Sequence, residues 1–585
     1  MTVRPHPNVF NIPASAPFLP VLIDALCAGK LVPGFPASGD PLELARATLY
    51  LPTRRAGRLA REVFLDRLGD AALLPRIVAL GDLDEDEIAF AEAATGEVAL
   101  ALPEAIKPLE RRLLLSELIL KWANSPEVRT AAGAPLIANT PSAALGLADD
   151  LARLMDDMTT RQVSWDKLDT LVPDDLDEYW QKSLRFLKIA REAWPAMRAE
   201  RGAIEAAERR DALIEAEAKR LASSDAPVIA AGSTGSMPAT AMLLATIATL
   251  PHGALVLPGL DMHLDETSWQ LIAGNAADDS HDGLPAAGHA QYAMHGLLER
   301  IGIKRDEVQQ LGDGALHGRD TLISEGLRPA ATTERWQQSL SSAVFDEAVD
   351  SALSSLSVIE AANAEEEALA IAICLREALI EKGKTAALVT PDRALARRVV
   401  AALARWQVAV DDSGGDALAE TAAGVFARLT AEVALHGCAP VPLLALLKHP
   451  LLRLGAEAGA HRHAIAILER AILRGPRPSP GTDSLMRALQ DFRASRDKEL
   501  HRSDPRRAIT DREIDAAADL VARLSAALAP LEALERRDHT LAAFAVCHRT
   551  AVEALSGDGV DAAAFLGHDG NALARALDEL AESPS

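Results

Sequence analysis

Along the first hundred residues, short apolar runs alternate with stretches in which apolar positions recur every three or four residues. "NVFNI" gives way to "FLPVLIDALCAG", and "ATLYLP" to a segment running through Phe64 and Leu65. Short apolar runs bounded by turn residues predict buried strands and the helical spacing predicts amphipathic helices, so the rhythm is that of βαβ units in a parallel sheet. From about Glu104 to Leu221 the strand signals stop. Long amphipathic patterns such as "LERRLLLSELILKWA" and "WQKSLRFLKIAREAWPAMRAERG" predict a helical block there. The β signal returns at Ala226 with "PVIAAGSTGS", a helix over about 239–250 and the strand "GALVLPGLD". The Gly-, Asp-, Ala- and His-rich stretch 276–288 reads as a surface loop. A second strand–helix series starts near Leu356: "LSVIEAANAEEEALAIAICLREALIEKG", the strand "TAALVTP", the helix "DRALARRVVAALARW" and the strand "VAV". After Leu443 the pattern is helical to the end, broken by "RGPRPSPGTD" at 474–483, and no repeat period recurs.

Composition narrows this picture. A chain of 585 residues is too long for one core and should divide into several units. Ala, Leu, Glu and Arg are abundant and aromatics are only 4%, a balance that favours helix over strand, so the expected fold class is helix-rich α/β. A formal charge of −24 excludes a surface that is basic throughout, and any nucleic-acid contact must therefore be local. Cys27, Cys374, Cys438 and Cys547 form no CxxC pair and read as buried thiols in a reducing cytoplasm. Pro13, Pro17, Pro20 and Asp24 interrupt the N-terminal apolar stretch where a signal peptide or membrane helix needs an unbroken run, so no membrane partner is expected.

The candidate chemistry lies in a few turns. In "LYLPTRRAGRLARE" a strand ends in a turn carrying Thr53, Arg54, Arg55 and Arg58 at the start of a helix. A hydroxyl, helix N-terminal amides and guanidinium groups all suit a phosphate, and open α/β sheets bind ligands beyond the carboxyl ends of their strands. "GSTGS" places Ser233, Thr234 and Ser236 after another strand, either as a cradle for a DNA phosphate or as a tight turn capped by Ser236. Arg474 and Arg477, with the later "RDKELHRSDPRR", are the most basic stretches; they either line a DNA path or form solvated loops. The acidic run "GDLDEDE" at 81–87 reads as the first turn of a helix, "VDDSGG" at 410–415 as a turn, and "HRH" at 461–463 lacks the i, i+4 spacing of a zinc pair. No metal or cofactor site is expected in this chain.

A parallel sheet interrupted by a helical block, followed by a second such pair, is similar to the plan of superfamily 1 helicases of the UvrD type. "LYLPTRRAGRLARE" resembles their motif Ia, which holds the backbone of single-stranded DNA. The loop after the first strand reads "IPASAPFLPVL" in place of GxxxxGK[ST], with no lysine, no glycine and three prolines that lack amide hydrogens. No Asp-Glu pair follows "PVIAAGSTGS" either, so a helicase fold that has lost its ATP site is expected. The blocks "NVFNIPASAPFLPVLIDAL", "LYLPTRRAGRLAREVFLDRLG", "LPRIVALGDLDEDEIAF", "VIAAGSTGSMPATAMLLATIATLPHGALVLPGLD" and "ALVTPDRALARRVVAALARWQVAVDDSGG" resemble the AddB family, in its alphaproteobacterial form, and the plan is also similar to RecC. The resemblance implies domain 1A over 1–103 and 223–350, a helical insertion 1B over 104–222, domain 2A over 351–440, and a helical domain 2B, apparently truncated, over 441–585. It also implies a non-motor subunit that pairs with an AddA-type helicase-nuclease and handles single-stranded or forked DNA during double-strand-break repair. The family's C-terminal nuclease has no counterpart motif here, so no ATPase or nuclease activity is expected of residues 1–585. The competing expectation is a scaffold for the AddA-type partner that never touches DNA.

Overall fold

The computed structural model describes residues 6–36, 42–69, 73–80, 102–125, 140–170, 186–274, 284–315, 318–354, 356–534 and 539–582. The chain forms two units that meet in sequence between Ile359 and Glu360. No helix among the described residues is long and apolar enough to cross a membrane. The architecture is helix-rich α/β. Six strands, β1 (Val9–Ile12), β2 (Thr48–Leu51), β3 (Arg76–Ala79), β4 (Val228–Ala231), β5 (Gly253–Pro258) and β6 (Gln309–Gln310), make one parallel sheet in the order β3-β2-β4-β5-β1-β6.

Alternation along the strands sends side chains into two separate layers, as period-two geometry requires. Phe10, Ile12, Leu49, Leu51, Ile229 and Val256 face helices α1 (Phe18–Cys27) and α2 (Arg54–Leu68). Val9, Tyr50, Val228, Ala230 and Leu255 face the opposite layer. Gly57 brings α2 close to the sheet, since a Cβ there would stand 3.3 Å from Ile77 Cγ2.

Between β3 and β4 the chain leaves the sheet for α3 (Pro108–Ala123), α4 (Pro141–Thr160) and α5 (Trp194–Arg201), then returns through α6 (Ala206–Leu221). Leu115, Ile119, Ala148, Leu151 and Trp194 give this block a core of its own. Under it lies Glu205, 3% exposed, which accepts a hydrogen bond from Trp194 Nε1 at 2.5 Å and has Arg111 Nε 3.0 Å from Oε2. Burial lifts the Glu205 carboxyl above its usual range in spite of Arg111.

The opposite layer is completed by α6, α7 (Pro238–Thr249), α8 (Glu266–Ile272) and α9 (Tyr292–Ile301). The chain then runs on through α10 (Arg319–Gly326), α11 (Trp336–Leu340) and α12 (Ala343–Leu353). An ion-pair knot ties this run to the sheet. Asp265 caps α8 at Ser268 N (3.1 Å) and pairs with Arg328 and, at 2.6 Å, with Arg335; Arg328 also grips Glu325 at 2.5 Å.

The second unit is helical. Helices α13 (Ala364–Ile380) and α14 (Arg393–Ala404) pair through Ala368, Ala372, Val399 and Leu403. A larger core follows, built by α15 (Ala422–Leu435), α16 (Pro440–Leu447), α17 (Arg462–Leu468), α18 (Thr482–Glu499), α19 (Asp511–Glu532), α20 (Leu541–Ser556) and α21 (Gly567–Glu582). Within it α19 carries the fully buried Leu520, Val521 and Leu524. The strands expected at "LSVIE", "TAALVTP" and "VAV" do not form; no strand is present among the described residues beyond β6. A strand needs a neighbour whose backbone pairs with it, and none is present here among the described residues. Leu388 and Val408 pack on the α13–α14 pair, whereas Val389 is 94% exposed and Val410 46%, and no neighbouring strand pairs with their backbone. The expectation of four buried thiols is corrected too: Cys438 is buried, Cys27 and Cys547 are half-buried and Cys374 is exposed.

Burial alone would raise the Asp265 carboxyl, but hydrogen bonds from Arg328 and Ser268 reverse this and hold it far below the usual carboxylate range. A depressed carboxylate contributes stability above its unfolded-state value, and that contribution fades as the pH falls toward its folded value. Asp265→Asn should therefore be less stable than the parent near neutrality. The gap should shrink once the pH drops below about 4, where the unfolded chain begins to take up the proton. Urea midpoints followed by tryptophan fluorescence read this, because six of the seven tryptophans precede residue 359. A gap independent of pH would show that Asp265 acts through shape alone.

Candidate nucleic-acid interface

Adjacent strands whose following helices lie on opposite faces leave a crevice at their carboxyl ends, and this is where open α/β folds hold ligands. Among the described residues the sheet shows two such places. One lies between β2, which leads to α2, and β4, which leads to α7; the other lies between β5 and β1.

The β2–β4 crevice gathers the two turns singled out from the sequence. Register pairs Thr48 with Val228 and Tyr50 with Ala230, so Pro52 and Gly232 emerge side by side. A Cβ on Gly232 would stand 3.3 Å from Pro52 Cδ and 3.3 Å from Phe18 Cε1, and its φ of +81° lies in the left-handed region that favours glycine. The backbone twist is what favours glycine, and a methyl group would in addition need the Pro52 or Phe18 ring to give by a few tenths of an ångström. Thr53, extended at φ −142°, caps α2 by accepting a hydrogen bond from Ala56 N at 3.1 Å. With Thr53 committed to the cap, the first turn of α2 carries Arg54 and Arg55, followed by the exposed Arg58, at the positive end of the helix dipole.

Across the crevice, Ser233 and Thr234 are half-buried and Ser236 is exposed, with Ser233 Oγ accepting from Gly235 N at 3.4 Å. Capping by Ser236, one of the two readings left open for this turn, does not occur: α7 begins at Pro238, with Met237 in the cap position and no side-chain hydrogen bond. Proline in the first turn needs no amide acceptor and its ring presets the helical φ, which lessens the need for a cap. Ser236 and the 44% exposed Met237 thus stay on the surface of the turn.

Arg474 and Arg477 belong to the second unit and are described within it. Arg474 is engaged by Glu469, Nε at 3.1 Å and Nη2 at 2.8 Å, on a carboxylate that Lys448 also holds at 2.6 Å. Hydrogen bonds from Lys448 and then Arg474 depress the Glu469 carboxyl. Arg477 donates to His436 O at 3.2 Å. The "RDKELHRSDPRR" stretch is likewise engaged locally, with Arg496 on Ile509 O and Arg506 on Asp504. Asp412 builds the "VDDSGG" turn with Gly414 N and Arg393. His461 meets Arg453 O at 3.0 Å and His463 lies 3.2 Å from Glu513. The acidic run at 81–87 lies outside the described residues.

The β5–β1 crevice was not singled out by the sequence pattern, although it carries a signal: Asn11, 2% exposed, sits within an otherwise apolar strand and accepts Leu260 N at 2.8 Å. Beside it, the turn after β1 is closed by Ala16 N on Pro13 O at 3.0 Å and anchored by Ser15, which donates to Asp320 at 2.5 Å.

No protein-family model matches the chain, and none of the curated proteins matches it.

Two substitutions test the geometry of the β2–β4 crevice. Thr53→Ala should lower stability by about 1 kcal/mol through loss of the cap. Gly232→Ala should cost roughly 1–3 kcal/mol through its positive φ, with further loss from crowding on Pro52. Urea denaturation of each variant measures both, and a neutral Gly232→Ala would mean that residue 232 is neither held at positive φ nor crowded by Pro52.

Proposed function

We propose that this chain is a non-motor, DNA-handling subunit of an AddAB-type helicase-nuclease, built on an inactivated superfamily 1 helicase fold. It would grip single-stranded or forked DNA by its phosphates during break processing. The observation that carries the reading is the meeting of the Thr53–Arg58 turn with the Gly232–Met237 turn at a ligand-binding crevice, in a parallel sheet interrupted by a helical block. The motif Ia resemblance of "LYLPTRRAGRLARE" assigns phosphate contact to this turn. Guanidinium groups at a helix N-terminus supply that contact without reading bases. The Pro13–Pro17 turn argues against a triphosphate at the first strand, because two of its five residues lack an amide hydrogen and Ser15 is held by Asp320.

A second reading, a scaffold for an AddA-type partner without DNA contact, draws support from the −24 charge and from the carboxylate that already holds Arg474. One experiment separates the two. Arg54→Ala, Arg55→Ala and Arg58→Ala combined should weaken single-stranded DNA binding by the same factor for different sequences. The slope of log affinity against log salt should flatten by up to about 2 units, at roughly 0.7 per phosphate contact. Fluorescence anisotropy of labelled oligonucleotides across a salt series reads both numbers. Undiminished DNA affinity together with loss of the AddA-type partner in co-purification would favour the scaffold.

A further inference from the structure

The helix pair that opens the second unit leaves large apolar side chains in water. Val389 is 94% exposed, Ile380 78%, Ile373 49% and Val410 46%. Apolar side chains grouped on so small a structure mark an interaction surface.

The backbone beside them says what kind of partner fits. Residues 384–390 run without a turn or bend from the turn at 382–383 toward Asp392, the cap of α14. Burial alternates along this run: Leu388, which packs on α13 and α14, and Thr390 are half-buried, whereas Ala387 and Val389 are exposed. That is the alternation of a strand with one face covered. Among the described residues, 385–389 make no hydrogen bond. Successive open N–H and C=O groups on an extended apolar segment are met by another strand; a helix has already spent its own backbone groups.

The flanking charges say whose strand it is. Lys384 opens the run and Asp392 closes it. When the same segment of a second copy lies antiparallel and centred on Leu388, Leu388 meets its counterpart, Ala387 meets Val389 twice, and Lys384 meets Asp392 at both ends. Directly opposite side chains share a face and stand about 5 Å apart, within reach of an ion pair. A slip of one residue would set Leu388, which faces the helices, against the outward Val389, so the register is constrained. Both charges have capacity for the partner. Lys384 Nζ is held by Glu381 at 2.5 Å in an exposed pair of small worth. Asp392 accepts Ala394 N (2.8 Å) and Leu395 N (3.2 Å) on Oδ1, which leaves Oδ2.

We propose that the chain pairs with a second copy of itself through residues 384–392, antiparallel and twofold symmetric. The two half-covered layers join edge to edge with their helices on the same face. The contact lies within the second unit and does not rest on the DNA reading.

Sedimentation velocity of the full chain over a concentration series tests this. The expected result is a reversible dimer with a dissociation constant in the micromolar range, as a short strand pair allows. Lys384→Asp sets a carboxylate against Asp392 at both ends and should weaken the dimer on the order of tenfold. Lys384→Asp combined with Asp392→Lys restores opposite charges and should return the affinity to within about threefold of the parent. Because Asp392 also caps α14, circular dichroism checks the fold of each variant, and Val389→Lys supplies a test at a position the fold does not use. It places an ammonium on the apolar strand face of both copies and should weaken the dimer severalfold. A monomer at every concentration would overturn the proposal. So would a dimer indifferent to Lys384→Asp and Val389→Lys, because the two copies would then meet elsewhere, and so would a folded charge-swapped variant that stays as weak as Lys384→Asp.

Discussion

The pairing of β2 with β4 is the constraint on which the first unit depends. Residues 48–50 must find residues 228–230 across the whole helical block, and only then do the two turns share a crevice. Closing so long a connection is entropically costly, although the cost grows only slowly with length, and the block reduces it by folding as a unit with its own core around Trp194. The contact that seals the pairing is small. It is the hydrogen atom of Gly232, standing where a methyl group would crowd the Pro52 and Phe18 rings.

Charge is handled locally throughout the chain. An arginine-rich segment in a protein of net charge −24 tends to find a nearby carboxylate, and Arg474, Arg496 and Arg506 each do so within a few residues. Basic composition along the sequence is therefore a poor guide to a DNA path, because it cannot show which cations are already neutralised. Position in the fold is a better guide. Arg54 and Arg55 open a helix at the carboxyl end of a central strand, a place that composition alone does not give them.

How much was legible follows from how local each signal is. The strands "VFNI", "TLYL", "VIAA" and "GALVLP" announce themselves because burial on both faces makes them continuously apolar, and the 104–221 block does so because its helices are amphipathic. The same signal misled at "TAALVTP". An apolar run states only that a segment could be buried as a strand, whereas pairing needs a neighbour, and Val389 has none against it. The Thr53 cap could be read from Pro-Thr before a helical pattern. The Ser236 cap could not be decided, because the proline two residues later starts the helix by itself. Least legible was the cavity at β5–β1. Asp261, His289, Asp320 and Glu347 are scattered over nearly ninety residues, and only the topology gathers them.

That topology gives one sheet two crevices of opposite character. Both sit at the carboxyl ends of parallel strands and both are created by helices departing to opposite faces, so backbone geometry alone does not distinguish them. Side chains do. The β2–β4 crevice is flanked by Arg54, Arg55 and Arg58, whereas the β5–β1 crevice is lined by Asp261, Asp320 and Glu347, and only β4 and β5 lie between the two crevices. Two strands at about 4.8 Å spacing place these fields on the order of one Debye length apart in physiological salt. At that separation salt weakens each field at the other crevice without removing it, so the potential at either crevice is set mainly by its own side chains and in part by those of the other.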